Sequence, residues 1–240
     1  MPNNFFSFKQ FTIQQVHCAM KVCTDACVLG AFTSKLVEEA KVAPKNILDI
    51  GTGTGLLALM LAQKSPASID AIEMNEAAAG QAKENFAQSP WAEKIHLMHG
   101  SIQQFVASKK YDLIISNPPF FEDDLRSANT DKNDAKHDSS LTLQELVHAI
   151  RENLAEDGFS TVLVPYHRTT YFKNVVGEAG LFVNHVMLLQ QSPKHTFFRS
   201  IVVLAKQKEN CKEETLVIHD EQRQYSPAFT GLLRDYYLNL

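Results

Sequence analysis

Two short stretches carry residue types that could do chemistry together: "LDIGTGTGLLA" (48–58) and "SNPPFF" (116–121). In the first, Asp49 stands before Gly51, Gly53 and Gly55, and a good helix former, "LLALMLAQK" (56–64), follows. Glycines are needed where a backbone turns sharply and approaches a ligand with no Cβ in the way. The free N–H groups of a helix start can then meet a carboxylate or phosphate. Glu73 ends the next apolar run, about 20 residues on, where an acidic side chain can accept hydrogen bonds from both ribose hydroxyls. Together these residues read as a site for a nucleoside-containing cofactor. "GTGLLA" (53–58) also satisfies the dinucleotide pattern G-x-G-x-x-A, so hydride transfer stays open at this point. Asp49 would repel a pyrophosphate but suits a ligand with a cationic end.

The second stretch ends a strand-like run, "YDLIIS" (111–116), with residues that cannot continue a central strand. Pro118 and Pro119 fix φ and stiffen the loop. The Asn117 side-chain oxygen and the Pro118 carbonyl are acceptors able to point at one amine, and Phe120 offers a face on which a flat ring can stack. The group they suit is an amino group on a planar system, such as the 6-amino group of adenine or a side-chain amide. Such a nitrogen is a poor nucleophile, because its lone pair is delocalised. Two acceptors holding its hydrogens stabilise the more tetrahedral nitrogen of a transition state. Neither a nucleophilic side chain nor a metal is required. Without the glycine loop upstream, N-P-P would be read as a rigid turn.

The elements that must position these residues alternate regularly. Strand-like runs "NILDI" (46–50), "SIDAIE" (68–73), "KIHLM" (94–98), "YDLIIS" and "FSTVLVP" (159–165) are separated by helix-like stretches, and "TLQELVHAIRENL" (142–154) repeats apolar residues at 3.6-residue spacing. "GLFVNHVMLLQ" (180–190) and "RSIVVLAKQ" (199–207) form a late pair of strands. The pattern predicts an α/β fold: a Rossmann-like, doubly wound, mostly parallel seven-stranded sheet with a C-terminal antiparallel hairpin. In such sheets ligands bind beyond the carboxyl ends of the strands, where both stretches fall. A single domain is expected over 1–240, with a core over 41–207 and an N-terminal extension over 1–40. Residues 121–140, "FEDDLRSANTDKNDAKHDSS", are too polar to offset ordering and are expected to be a mobile loop. The tail, 208–240, ends on aromatics and leucines and is expected to dock.

Composition bounds the rest. The chain has 240 residues, 45% hydrophobic and 21% charged, enough for one full core. No apolar run approaches the ~18–20 residues of a membrane span, and the start lacks a secretory signal pattern, so a cytoplasmic protein is expected. A monomer is the default expectation. Cys18, Cys23, Cys27 and Cys211 form neither a CxxC pair nor a zinc spacing, and packing is favoured over metal or redox roles. A formal charge of -4 excludes bulk electrostatic coating of nucleic acid. Local basic stretches remain: "SPKHTFFRS" (192–200), Lys206, Lys208 and Lys212, and Lys9, His17 and Lys21, with Arg126 and His137 in the polar loop.

The acidic residue before a G-x-G-x-G loop, combined with "NPPF", makes the chain resemble the class I S-adenosylmethionine-dependent methyltransferases with an N-P-P-[FYW] motif, over ~20–205. More narrowly, "FKQFTIQQVHCAMKVCTDACVLGAF" (8–32), "NPPFF" and "YSPAFTGLLRDYYL" are similar to the bacterial tRNA adenine-N6 methyltransferases that modify the adenosine beside the anticodon of a valine tRNA. The resemblance implies S-adenosylmethionine as cofactor, with no metal, and tRNA as partner. It also implies that an adenosine is flipped toward Asn117, Pro118, Pro119 and Phe120. By the same resemblance Thr24 and Asp25 lie over the methionine part of the cofactor. "KVCTDACVLG" has Cys23 and Ala26 where that family usually carries glycines. Ser101 stands where such enzymes usually place an aspartate for the cofactor's adenine, with Ile102 packing on the ring. Protein glutamine methyltransferases share this core but usually carry a helical domain ahead of it, for which ~45 residues leave little room. DNA or ribosomal RNA adenine methylation, and cofactor binding without turnover, are the other readings.

Overall fold

The computed structural model describes residues 3–16, 20–40, 42–119 and 141–240. A β-hairpin, β1 (Phe5–Ser7) and β2 (Thr12–Gln14), precedes helix α1 (Thr24–Glu39). Then come β3 (Asn46–Ile50), α2 (Leu56–Lys64), β4 (Ser68–Glu73), α3 (Glu76–Ala87), β5 (Ile95–His99) and β6 (Tyr111–Ser116). The C-terminal half holds α4 (Leu143–Asn153), β7 (Leu154–Pro165), α5 (Thr169–Glu178), β8 (Phe182–Gln190), β9 (Phe197–Ala205), β10 (Lys212–Val217) and α6 (Pro227–Leu233).

Eight strands form one sheet in the order β10-β8-β9-β7-β6-β3-β4-β5, and β9 alone runs antiparallel to its neighbours. The seven expected strands are all present, and β10 adds an eighth on the outer edge beside β8. Half of its sequence, KEETLV, is exposed, and only Leu216 is buried. An edge strand facing solvent has neither an apolar run nor a clean alternation to announce it.

Alternation along the central strands feeds two cores. Leu113 and Ile115 of β6, Leu163 of β7 and Ile201 and Val203 of β9 pack toward α1 and α2. Ile114, Val162, Val164, Val202 and Leu204 point the other way, against α4 and α5. Burial on both faces is what a parallel sheet covered by helices requires.

Helix α1 lies within the N-terminal 40 residues yet belongs to the first of these cores. Cys27, Val28, Leu29 and Phe32 are fully or almost fully buried, and the Thr33 hydroxyl meets that of Thr161 on β7 at 2.8 Å. The C-terminal residues close the same side. The Tyr236 hydroxyl lies 2.8 Å from Ser34 Oγ and 3.2 Å from the Met60 carbonyl, and Phe8 pairs with Tyr237 in an antiparallel bridge. The start and end of the chain thus brace the layer that carries α1 and α2.

Candidate active site

β3 delivers the glycine loop to the carboxyl edge of the sheet. The N–H groups of Gly51 and Thr52 both donate to the Ile72 carbonyl, at 2.9 and 3.0 Å, bending the chain over β4. Gly51, Gly53 and Gly55 have φ of 70°, 57° and 89°. At Gly53 a Cβ would meet nothing within 4 Å, so its surroundings are open; at Gly55 it would fall 2.3 Å from the Phe86 ring of α3. Gly53 therefore leaves room for a ligand, whereas Gly55 leaves room for the protein's own aromatic.

Glu73 holds this loop. Its carboxylate accepts from Gly53 N–H and from Asn75 N–H, each at 2.8 Å, one on each oxygen. Each oxygen keeps acceptor capacity. Asn75 caps α3 by accepting from Ala78 N–H at 3.0 Å, so Glu73 ties the glycine loop to the start of the next helix.

Asp49 is completely buried. One oxygen accepts from the Thr52 hydroxyl at 2.6 Å and from Ala58 N–H at 3.2 Å; the other, Oδ1, has no hydrogen-bond partner among the described residues. Burial pushes its carboxyl up to about 7, against the two hydrogen bonds, and the nearby Glu73 charge pushes the same way. A buried, half-satisfied carboxylate is costly by itself and is stabilised by a cation placed nearby.

β6 pairs directly with β3, Ile50 opposite Ser116, so Gly51 and Asn117 leave neighbouring strands side by side. Asn117 is half-buried, and its Oδ1 is buried without a partner among the described residues. Pro118 is buried and Pro119 exposed; Phe120 lies outside the described residues, as does the polar loop 121–140. An amide oxygen in this position calls for a donor.

The head of α1 lies over the same edge. Cys23, extended at φ -126°, precedes Thr24 and Asp25, and Asp25 accepts from Arg199 Nε of β9 at 3.0 Å. The Cys23 and Cys27 thiols are pushed up to about 12, chiefly by burial, which makes both unreactive at neutral pH. Arg199 belongs to the basic stretch 192–200, and nothing in the sequence pairs it with a residue 174 positions earlier. Ser101 and Ile102 follow β5, at the outer edge. The Ser101 hydroxyl is engaged with the Gln103 side chain, and Ile102 is 7% exposed and packs in the second core.

The basic residues divide. Lys194, His195 and Arg199 lie at the carboxyl edge, whereas Lys206, Lys208 and Lys212 lie at the opposite edge, where Ala205 pairs with Phe182 at the start of β8. Lys206 donates to the Leu154 carbonyl at 2.9 Å. Lys21 donates to the Asn3 carbonyl at 3.2 Å and Lys9 to that of Arg234. His17, Arg126 and His137 lie outside the described residues. Among the described residues no cluster of three His, Cys, Asp or Glu side chains is placed to hold a metal ion.

Open space at Gly53, an unpartnered carboxylate oxygen on Asp49, spare acceptors on Glu73 and an unpartnered amide oxygen on Asn117 thus converge on one edge. They fit a nucleoside-bearing ligand with a cationic end, placed next to a planar amine.

Comparison with known proteins supplies the family. The Methyltransferase small domain family matches residues 28–178. Curated relatives named tRNA1(Val) (adenine(37)-N6)-methyltransferase are 42% identical in Cytophaga hutchinsonii and 40% identical in Bacteroides thetaiotaomicron, each alignment covering 100% of both chains. One from Trichodesmium erythraeum is 38% identical over 99% of both chains. The chain belongs to the tRNA1(Val) (adenine(37)-N6)-methyltransferase family. Its fold is that of methyltransferases at large: a predicted O-methyltransferase from Agrobacterium tumefaciens superposes with a TM-score of 0.66 at 14% identity, covering 90% of this chain and 100% of that one. The CcbJ methyltransferase of Streptomyces caelestis gives 0.56 at 13% identity, over 77% and 96%. Within the tRNA1(Val) (adenine(37)-N6)-methyltransferase family, then, the edge described above is where the methyl-transfer site is sought. No described helix is long and apolar enough to cross a membrane.

Proposed function

We propose that this methyltransferase transfers the methyl group of S-adenosylmethionine to the exocyclic N6 of an adenosine beside the anticodon of a valine tRNA. The observation that carries the proposal is the unpartnered, buried Oδ1 of Asn117 beside the glycine loop, in a chain whose relatives bear that activity in their names.

S-adenosylmethionine supplies an electrophilic methyl group on a sulfonium leaving group. Its ribose hydroxyls would meet Glu73, its backbone would pass over Gly51 and Gly53, and its cationic end would fall near Asp49 and beneath Thr24 and Asp25. Ser101 and Ile102 are the assigned neighbours of its adenine.

Asn117 Oδ1 accepts one hydrogen of the target N6 amine and the Pro118 carbonyl accepts the other. Both bonds strengthen as the nitrogen becomes tetrahedral, so they favour the transition state over the bound substrate. Removing one such partner typically costs about 10²–10³ in turnover. Pro118 and Pro119 hold the acceptors at fixed φ, so their orientation is set before substrate arrives. Phe120 supplies the stacking face for the flipped adenine. Asparagine does not titrate, so the proton shed by the methylated nitrogen passes to water.

The test is transfer of labelled methyl from S-adenosylmethionine to bacterial tRNA lacking the modification, followed by nucleoside mass spectrometry. N6-methyladenosine is expected. Label on a protein glutamine, or on no RNA, would overturn the assignment.

A further inference from the structure

The turn after β7 carries Tyr166, the turn after β8 leads into Phe197, and both turns carry basic residues. Pro165, the last residue of β7, pairs with Arg199 of β9, and Val162 pairs with Ser116 of β6. Tyr166–Arg168 therefore leaves the strand next to β6, about 10 Å further toward the ligand side, at ~3.3 Å per residue. Across β9 the register slips: Leu189 faces Arg199, but Gln190 faces Phe197. That bulge at Phe198 turns Phe198 toward the first core and leaves Phe197 on the other face, and a bulge commonly re-aims side chains in this way. Phe197 then meets Tyr166, ring centroids 5.2 Å apart, and Tyr166 remains 41% exposed.

Basic residues adjoin this pair in the two turns. His167, Lys194 and His195 are exposed, and Arg168 lies 4.7 Å from the Tyr171 ring. Between Asp157 and Glu209 the sequence has a single acidic residue, Glu178, in a chain of net charge -4. Glu178 ends α5, a helix that starts at Thr169 beside this turn and runs away from it. A hollow of about 300 Å³, lined in part by Tyr166, His167, Lys173 and Glu213, borders the pair, with Glu213 3.9 Å from Lys173. Acidic residues return at Glu209 and, on β10, at Glu213 and Glu214. An exposed ring with basic residues in the same two turns, adjoining the amine acceptor, has the makeup of a single-strand nucleic-acid platform: bases stack on the rings while phosphates meet the basic side chains.

We propose that Tyr166 and Phe197, with His167, Arg168, Lys194 and His195, form the surface on which the unpaired nucleotides next to the target adenosine stack. The inference rests on the tRNA reading of the active site and deepens it. The phosphates face Arg168 and Lys194, an adjacent base stacks on Tyr166, and the target base reaches Asn117 across β7 and β6. None of these side chains touches the reacting atoms, so they act on substrate capture.

Wild-type enzyme, Tyr166→Ala, the double variant Arg168→Glu/Lys194→Glu, and Lys208→Glu at the opposite edge are compared for methyl transfer to unmodified valine tRNA. S-adenosylhomocysteine binding is measured in parallel as a check on folding. Tyr166→Ala is expected to raise KM for tRNA about 5- to 100-fold. The charge-reversed pair is expected to raise it at least about 10-fold and to make the dependence on log salt shallower by roughly one unit per lost phosphate contact. Both should keep cofactor affinity, and Lys208→Glu should match wild type. If wild type methylates tRNA and the two platform variants keep its KM and salt slope, the platform is wrong while the tRNA reading stands. Should wild type methylate no RNA at all, both are overturned.

Discussion

The Ser116 hydroxyl donates to the Ile50 carbonyl at 2.9 Å, and both residues are buried. This bond joins the last residue of β6 to the last residue of β3, one position before Asn117 and one before Gly51. It fixes the spacing between Asn117 and the glycine loop, which the proposed function makes the spacing between amine acceptor and cofactor. Ser116→Ala is expected to cost about 1 kcal/mol of stability. The larger effect should be on turnover, which is expected to fall about 10-fold or more with little change in cofactor affinity, because small misplacements of reacting groups are costly. Denaturant unfolding and single-turnover kinetics measure the two effects separately.

Asp49 is expected to make stability and, under the proposed function, cofactor affinity depend on pH. Its carboxyl is raised from 3.8 to about 7, chiefly by burial. Between those values the folded chain holds a proton the unfolded chain has shed, so its contribution to stability falls as pH rises through that window and is level above it. A cation bound beside it favours the ionised form, so affinity for S-adenosylmethionine should rise up to about pH 7–8. Thermal unfolding at pH 5 and pH 8 and calorimetric titration across the same range check both. Asp49→Asn should flatten both profiles, the stability difference being a few kcal/mol at most, at ~1.4 kcal/mol per pKa unit.

Gly53 and Gly55 should separate in their effects although they lie two residues apart. Gly55→Ala puts a Cβ against the Phe86 ring at a φ of 89° and is expected to lose roughly 2–4 kcal/mol of stability. Gly53→Ala meets nothing in the protein, and its cost of folding is expected to be about 1–2 kcal/mol. Its methyl group enters the open space assigned to the cofactor, so affinity for S-adenosylhomocysteine should fall about 10-fold or more. Comparing unfolding midpoints with dissociation constants for the two variants gives the contrast.

The C-terminal brace can be tested through Tyr236, which is 1% exposed and shares its hydroxyl between Ser34 and Met60. Tyr236→Phe removes only that hydroxyl and is expected to cost about 0.5–1.5 kcal/mol by denaturant unfolding. Cofactor affinity should be nearly unchanged, since the lost bonds lie midway along α1 and α2 rather than at the head of α1.

Much of the site was legible because backbone chemistry leaves marks in sequence. Positive φ calls for glycine, so the loop at 51–55 announces itself, and two prolines after an apolar run mark a strand end. Whether each glycine faces ligand or protein is not local information: Gly55 meets Phe86, 31 positions away, and that contact exists only after α3 packs. The Arg199–Asp25 pair is likewise made by topology, because β9 is inserted beside β7 and α1 crosses its end. Topology also splits a basic stretch that reads as continuous. Antiparallel β9 carries Arg199 to the ligand edge and Lys206 to the far one. The edge strand β10 escaped notice because solvent on its exposed positions imposes no apolar pattern. Helix α1, within a segment expected only as an extension, is buried along most of its length and so lacks the one-sided stripe that marks a surface helix.

The most direct test of the central claim is the turnover number of Asn117→Ala on unmodified valine tRNA, read as N6-methyladenosine formed, with S-adenosylhomocysteine affinity measured on the same preparation. An amine acceptor at Asn117 predicts turnover lower by about 10²–10³ with affinity retained within about threefold. Full turnover in this variant would contradict the account.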